Sequence, residues 1–353
     1  MTCKTLTSPL ASALIAASLM LAGTAVQAKD TPEPIAVDAS FRASEQAMKV
    51  LTINDTKVLK GLTKVAVPQF SVEFVTFDRA SAETSGFAAA GRASVSAAYK
   101  LIGVGQEDFQ AMTESLYADF IRELQASGLE VMSAEQLGAA PSYRKQVAGG
   151  TPTPIISDSA IVVAPAGMAL YGVNRVKAEG SKNTGMFGAL SALSNVGSAI
   201  SGAFDNVELQ KELGGAALLE VHMRVHFVKL TNNNKGFFGR ISSTASVSAK
   251  AYPSITAAHM SVFAGPEGGH LSLKQPLTLD AAAFSDVREE ATTAKDVAGA
   301  VLTGLIRFAS GSKDSAEFKR FETVADAAKY REVVGGGLGL VREMLVARLK
   351  AER

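Results

Sequence analysis

Two of the chain's four histidines, His222 and His226, stand four residues apart in a run of alternating character. On a helix, that spacing would bring both imidazoles to adjacent turns, where they could share one metal ion. On a strand it holds them ~13 Å apart, whereas a zinc ion needs its nitrogens ~2 Å away. The run Leu219–Leu230 has the period of a strand. Leu219, Val221, Met223, Val225 and Phe227 alternate with Glu220, His222, Arg224 and His226. Such a segment turns its aliphatic side inward and its polar side toward water, as in an antiparallel sheet covered on one face. His222 and His226 alone therefore cannot chelate an ion. The route left to a histidine centre is a site joining either ring to His259 or Glu220 across strands.

Other chemical signatures are incomplete. Gly103-Val-Gly105 precedes a helical pattern, but neither a third spaced glycine nor a lysine completes a dinucleotide or phosphate loop. No G-x-S-x-G elbow seats a hydrolase nucleophile. Glu289-Glu290, beside Arg288, reads as a solvated helix start. Gly335-Gly-Gly-Leu-Gly339 lies in an apolar helical stretch, which favours close packing over ligand contact, and its three consecutive glycines are expected to interrupt the last helix or start it afresh. The expectation is a non-catalytic protein with no cofactor and no metal.

The beginning of the chain reads as an export signal, residues 1–28. Lys4 supplies the positive charge, and Leu10 to Ala25 form an apolar run of Ala, Leu, Ile and Met. Val26-Gln27-Ala28 presents small side chains at a peptidase site, with cleavage expected after Ala28. The run is shorter than the ~20 residues of a spanning helix. Its alanine-rich core has a bacterial character, so the expected destination is the periplasm. Cys3, the one cysteine, precedes the apolar run and leaves with it; no cysteine follows that would carry a lipid. The mature chain has neither thiolate nor disulfide and must be held by packing, which about 325 residues allow. Loss of Lys4 takes 35 basic residues to 34, against 34 acidic ones. A neutral chain without tryptophan has no field or stacking platform for nucleic acid, which is excluded as a partner.

The elements that must position any site follow from periodicity. Residues 29–59 read as a leader with a short helix near Phe41–Leu51. Lys64–Phe77 is a strand whose parity switches at Pro68, which suggests an edge or a bulge. Residues 78–104, rich in Ala, Ser and Gly, read as an inserted loop or irregular hairpin. Gln106–Ser127 is a helix with Phe109, Met112, Leu116, Phe120 and Leu124 on one stripe, capped by Gly128. Leu129–Met132 is a short strand, and Ser133-Ala-Glu-Gln136 is a capping box. This order predicts a crossover unit with a parallel strand pair.

Ala160–Ala164 reads as a buried strand. After Leu219–Leu230 come strands at Ile241–Ala251 and Ala257–Phe263, split near Pro253, then Leu271–Leu277. Two closing helices carry the stripes Val297, Val301, Leu305, Phe308 and Val333, Val334, Leu338, Val341, Leu345, Leu349. The fold class is α/β (α+β). It comprises a mixed sheet with an N-terminal strand–helix–strand unit, a C-terminal antiparallel meander and flanking helices, in one domain over residues 60–350.

Residues 180–206 form a second insertion. Met186, Phe187, Leu190, Leu193, Val196, Ile200 and Phe204 are mixed there with glycine and almost no charge. Such a segment suits close helix packing or contact with a partner or membrane surface; the alternative is a mobile, partly apolar loop over the core.

Several stretches together resemble one family. They are Val65-Ala-Val-Pro68, the helix Ser115-Leu-Tyr-Ala-Asp-Phe-Ile-Arg-Glu-Leu124, Gly128-Leu-Glu-Val131, Ser133-Ala-Glu-Gln-Leu137 and Gly214-Gly-Ala-Ala-Leu-Leu-Glu-Val221. In order and spacing they resemble the CsgG superfamily, the curli secretion lipoprotein and its periplasmic relatives, over residues 60–350. The resemblance is one of pattern, without a diagnostic motif. It implies a mixed sheet among helices and a role in secretion, polymer export or cell-wall assembly through partner binding. The missing lipid-anchoring cysteine separates this chain from the curli protein, and no functional residue carries over. The expected function is that of an exported accessory or assembly protein binding an envelope or outer-membrane component. Self-association and peripheral membrane contact are compatible with it. The alternative is a carrier of a small apolar ligand.

Overall fold

The computed structural model describes residues 33–83, 94–171, 199–232, 245–290, 306–310 and 316–353. Along the chain come β1 (Ile35–Ala36), α1 (Ala43–Val50), β2 (Leu51–Asn54), β3 (Lys64–Val75), β4 (Phe77–Glu83) and β5 (Ser94–Ile102). They are followed by α2 (Gln106–Ala126), β6 (Glu130–Val131), α3 (Ala134–Ala139), α4 (Pro141–Ala148), β7 (Thr151–Pro152), β8 (Ile155–Ile156), β9 (Ala160–Val163) and β10 (Ala169–Leu170). Next are α5 (Ala199–Glu212), β11 (Ala217–Asn232), β12 (Ala245–Ala264), β13 (Glu267–Leu273) and β14 (Leu277–Thr278). The remaining elements are β15 (Phe284–Glu289), β16 (Ile306–Ser310), β17 (Ala316–Ala325) and α6 (Ala327–Glu352).

The class is α+β with mixed sheets. An eleven-stranded sheet has the main path β1-β14-β12-β11-β3-β9-β8, with β2, β6, β13 and β16 paired off that path. A second sheet runs β15-β17-β5-β4, and β7 pairs with β10. The expected crossover is present: β3 leads through α2 to β6, and β3 and β6 pair in parallel.

Pro68 explains the central strand. Between Leu218↔Ala66 and Glu220↔Gln69, β3 carries one residue more than β11, a bulge spanning Pro68. The extra residue swaps parity, so Val65 and Val67 share the apolar core with Phe70, Val72 and Phe74. The bulge reading holds; the edge reading does not, because β3 lies between β11 and β9. Pro253 is absorbed in the same way. Instead of splitting two strands, it sits inside the twenty-residue β12, where the register against β11 slips between His226 and Val228.

The core forms where α1, α2 and α6 meet the apolar side of the sheet. Phe74 stacks on Phe109 at 4.2 Å between ring centroids, and Phe70 packs against Phe120 at 5.7 Å. Gly128 closes α2 at φ +87°, a conformation that favours glycine. Helix α6 runs unbroken through Gly335–Gly337. A Cβ on Gly337 would lie 2.5 Å from Leu279 Cδ1, so glycine there lets the helix approach Leu279 closely. Between α6 and α2, Arg342 binds Asp119 and Glu123, each at 2.7 Å.

Three other expectations are corrected. Phe77–Glu83 and Ser94–Ile102 form a regular antiparallel pair, β4 with β5, and residues 84–93 between them lie outside the described residues. Phe308 ends no helical stripe: Ile306–Ser310 is a strand paired with β12, while Val297, Val301 and Leu305 lie outside the described residues. Glu289 belongs to strand β15, not to a helix start.

Candidate functional site

Glu220, His222, Arg224 and His226 do share one face of β11, as their alternation requires. That face is not open to water. His222 is 4% exposed, and the neighbouring Gln69, Ser71 and Glu73 of β3 are also buried. The expected single-sided sheet is covered on both faces. Opposite the main core, α4 and α5 place Tyr143, Leu209 and Leu213 over Ala66, Ala216 and Leu218, which continue the polar face toward one end of the sheet. Alternation reports two unlike faces; it does not distinguish water from a polar layer inside the protein.

Register assembles that layer. His222 lies opposite Ser71 of β3 on one side and His259 of β12 on the other. His259 in turn lies opposite Ser272 of β13, and Ser261 opposite His270. Ser71 Oγ and His222 Nδ1 are 2.7 Å apart, while His259 reaches Ser272 Oγ through Nδ1 and Ser261 Oγ through Nε2, both at 2.9 Å. The rings of His259 and His270 are 4.9 Å apart between centroids. Three imidazoles thus stand on one face of three adjacent strands, bracketed by serines. Register sets His222 opposite His259 without building a metal centre from them, and His226 lies toward a different cluster.

Burial sets the protonation of this layer. It lowers His222 to about 4. It also lowers His259, helped by the nearby His270 and His222, to about 3. Desolvation pulls His270 down as well. His226 is lowered to about 4, by burial and then by the Arg224 charge. Its Nε2 lies 3.5 Å from Asp78 Oδ2, but burial raises Asp78 while lowering His226, so at neutral pH the imidazole is uncharged and the contact is not an ion pair. Arg224 Nε is 3.6 Å from Glu73 Oε1. Burial raises Glu220 to about 7, a rise tempered by a hydrogen bond from Gln69.

Chemically, Ser71–His222 has the pairing of a nucleophile and its base. Ser71 is 2% exposed in the middle of an internal strand, where no substrate carbonyl can reach it. Among the described residues, no three of His, Cys, Asp and Glu are grouped so as to hold a metal ion. Sequence reasoning missed Gln69, Ser71, Glu73, Ser261, His270 and Ser272. The available signal was polar residues at alternate positions of otherwise buried strands.

Of the apolar insertion, Met186, Phe187, Leu190, Leu193 and Val196 lie outside the described residues, and Ile200 and Phe204 fall in α5. Exposed apolar side chains occur elsewhere: Ile156 on β8 is 64% exposed and Phe318 on β17 is 56% exposed, with the Arg320 guanidinium over the Phe318 ring. Fold and site together define an α+β protein with a buried polar seam across its main sheet. No family model, curated protein or solved structure matches the chain.

Proposed function

We propose that this chain is an exported, non-catalytic accessory protein of the bacterial cell envelope, residing in the periplasm and binding another envelope or secretion component. The observation that carries the reading is the edge of the main sheet. Strand β8 ends the path, pairs among the described residues only with β9, and presents Ile156 to solvent. An edge strand with an exposed aliphatic side chain is a template for strand addition by a partner. The histidines support the same role, since they serve as neutral, hydrogen-bonded parts of a buried layer. The pattern resemblance to the curli secretion family points toward partner binding as well. A carrier of apolar ligands finds less support, because aromatic rings fill the space between α2 and the sheet.

The test compares the tagged full-length chain with Ile156→Lys, each recovered from the native envelope. The reading expects a discrete envelope protein to co-purify with the parent and to be lost from the variant, with unchanged circular dichroism. Equal recovery with both chains, or no partner with either, would overturn the role assigned to the β8 edge.

A further inference from the structure

We propose that His222, His259 and His270, carried in a row by β11, β12 and β13, form an acid-released latch that holds β13 and the facing half of β12 closed on the sheet. The first support is register. His222 and His259 are directly opposed, and His270 stands on the diagonal from His259 with its ring centroid 4.9 Å away. Neutral imidazoles tolerate that spacing. Two imidazolium ions would repel at it, and in a layer of low dielectric little solvent screens them.

The second support is the set of groups around the row. From β3 come Ser71 and Gln69, which are neutral, and Glu73, which faces Arg224. From β11 come Arg224, a positive charge, and Glu220, whose carboxyl burial holds near 7, so that acid neutralises it before the row charges. Tyr171 lies near Glu220, and its hydroxyl is kept protonated by burial. Asp78 of β4 faces His226 rather than the row. At the Leu218 end of this side of the sheet, α4 packs through Tyr143, and Gln210 of α5 bonds to the Gly265 turn; both are neutral. On the far side of β13, β2 sets Asn54 opposite His270, and the turn Thr56–Leu59 packs nearby, with Asp55 and Lys57 at its start. As pH falls to 4 and below, therefore, the row gains protons while its neighbouring carboxyl has lost its charge. Burial already places the rings low on the pH scale, in agreement with this geometry.

The third support is the construction of β13. It has seven residues, follows a turn at Gly265 with φ +62°, and is joined to β12 on this face through the His259–Ser272 hydrogen bond. The more open His270 gives protons a way in, whereas His222 is enclosed. Release would part β13 from β12 while β2 still pairs its other side, and leave α2 and α6 folded.

Hydrogen–deuterium exchange of the full-length chain between pH 7 and pH 4, corrected for intrinsic rates, tests the latch. Amides of residues 256–273 should exchange at least about tenfold faster at pH 4 than at pH 7, while α2 and α6 keep their protection. His259→Gln, which retains hydrogen-bonding capacity toward the serines, should cut the acceleration to about threefold or less. His270→Gln, at a more open position, should do the same and serves if the first variant fails to fold. Acceleration that is absent, that spreads equally to α2 and α6, or that persists undiminished in the folded variants would overturn the proposal.

Discussion

Replacing His222 with glutamine isolates the energetic consequence of burying one imidazole. Glutamine keeps a partner for Ser71 but carries no titrating group. In the folded protein the ring is lowered from 6.5 to about 4 by desolvation. The unfolded chain therefore binds a proton between those values that the folded chain refuses. Stability supported by the neutral ring is complete above pH 6.5 and is lost as pH falls toward 4. At about 1.4 kcal/mol per pH unit, the loss amounts to about 3 kcal/mol. Glu220 acts in the opposite sense: its pKa is raised to about 7, so its contribution is complete below pH 4.5 and declines as pH rises through 7. The two slopes offset each other in the parent between pH 4.5 and 6.5, so the parent curve alone is uninformative. The difference between parent and His222→Gln removes the shared Glu220 effect. Urea unfolding at several pH values from 7.5 to 4 should show the variant gaining on the parent by about 3 kcal/mol as pH falls. A difference constant to within about 0.5 kcal/mol would refute the claim that His222 is buried and neutral.

Gly337→Ala should destabilise the chain by about 1–2 kcal/mol, since the new Cβ meets Leu279. In a Leu279→Ala background the same change should turn stabilising, by up to about 1 kcal/mol, because alanine is the better helix former; thermal unfolding reads both. Arg342→Ala should cost about 1–2 kcal/mol in chemical unfolding, since Glu123 loses this cation while the partly exposed Asp119 keeps Arg122. Deleting residues 183–198, which spares α5, should weaken membrane association or partner recovery without altering circular dichroism. Unchanged association would make that apolar segment a passive loop.

The sequence was legible where side-chain period and local packing agree. Helix α2 shows its stripe because Phe109, Leu116 and Phe120 all face one core, and β11 alternates because its two faces meet different surroundings. The parity change at Pro68 was a readable trace of a bulge. What stayed hidden depends on partners distant in sequence. Strand β17 pairs in parallel with β5, more than 200 residues earlier, and its mixed charges obscure any apolar face. The row of His222, His259 and His270 exists only through register, which no single strand encodes. Likewise Glu220 and His222 look like surface residues until α4 and α5 are seen to lie on their side of the sheet.

The claim most in need of a direct trial is that the open end of the main sheet is where another envelope component docks. A photo-reactive amino acid placed at position 156 of the full-length chain, irradiated in intact cells, addresses it without removing any contact. The account predicts a covalent adduct of one defined mass, absent when the same probe occupies the core position of Phe120. Finding no adduct at position 156, or an indistinguishable pattern at both positions, would contradict it.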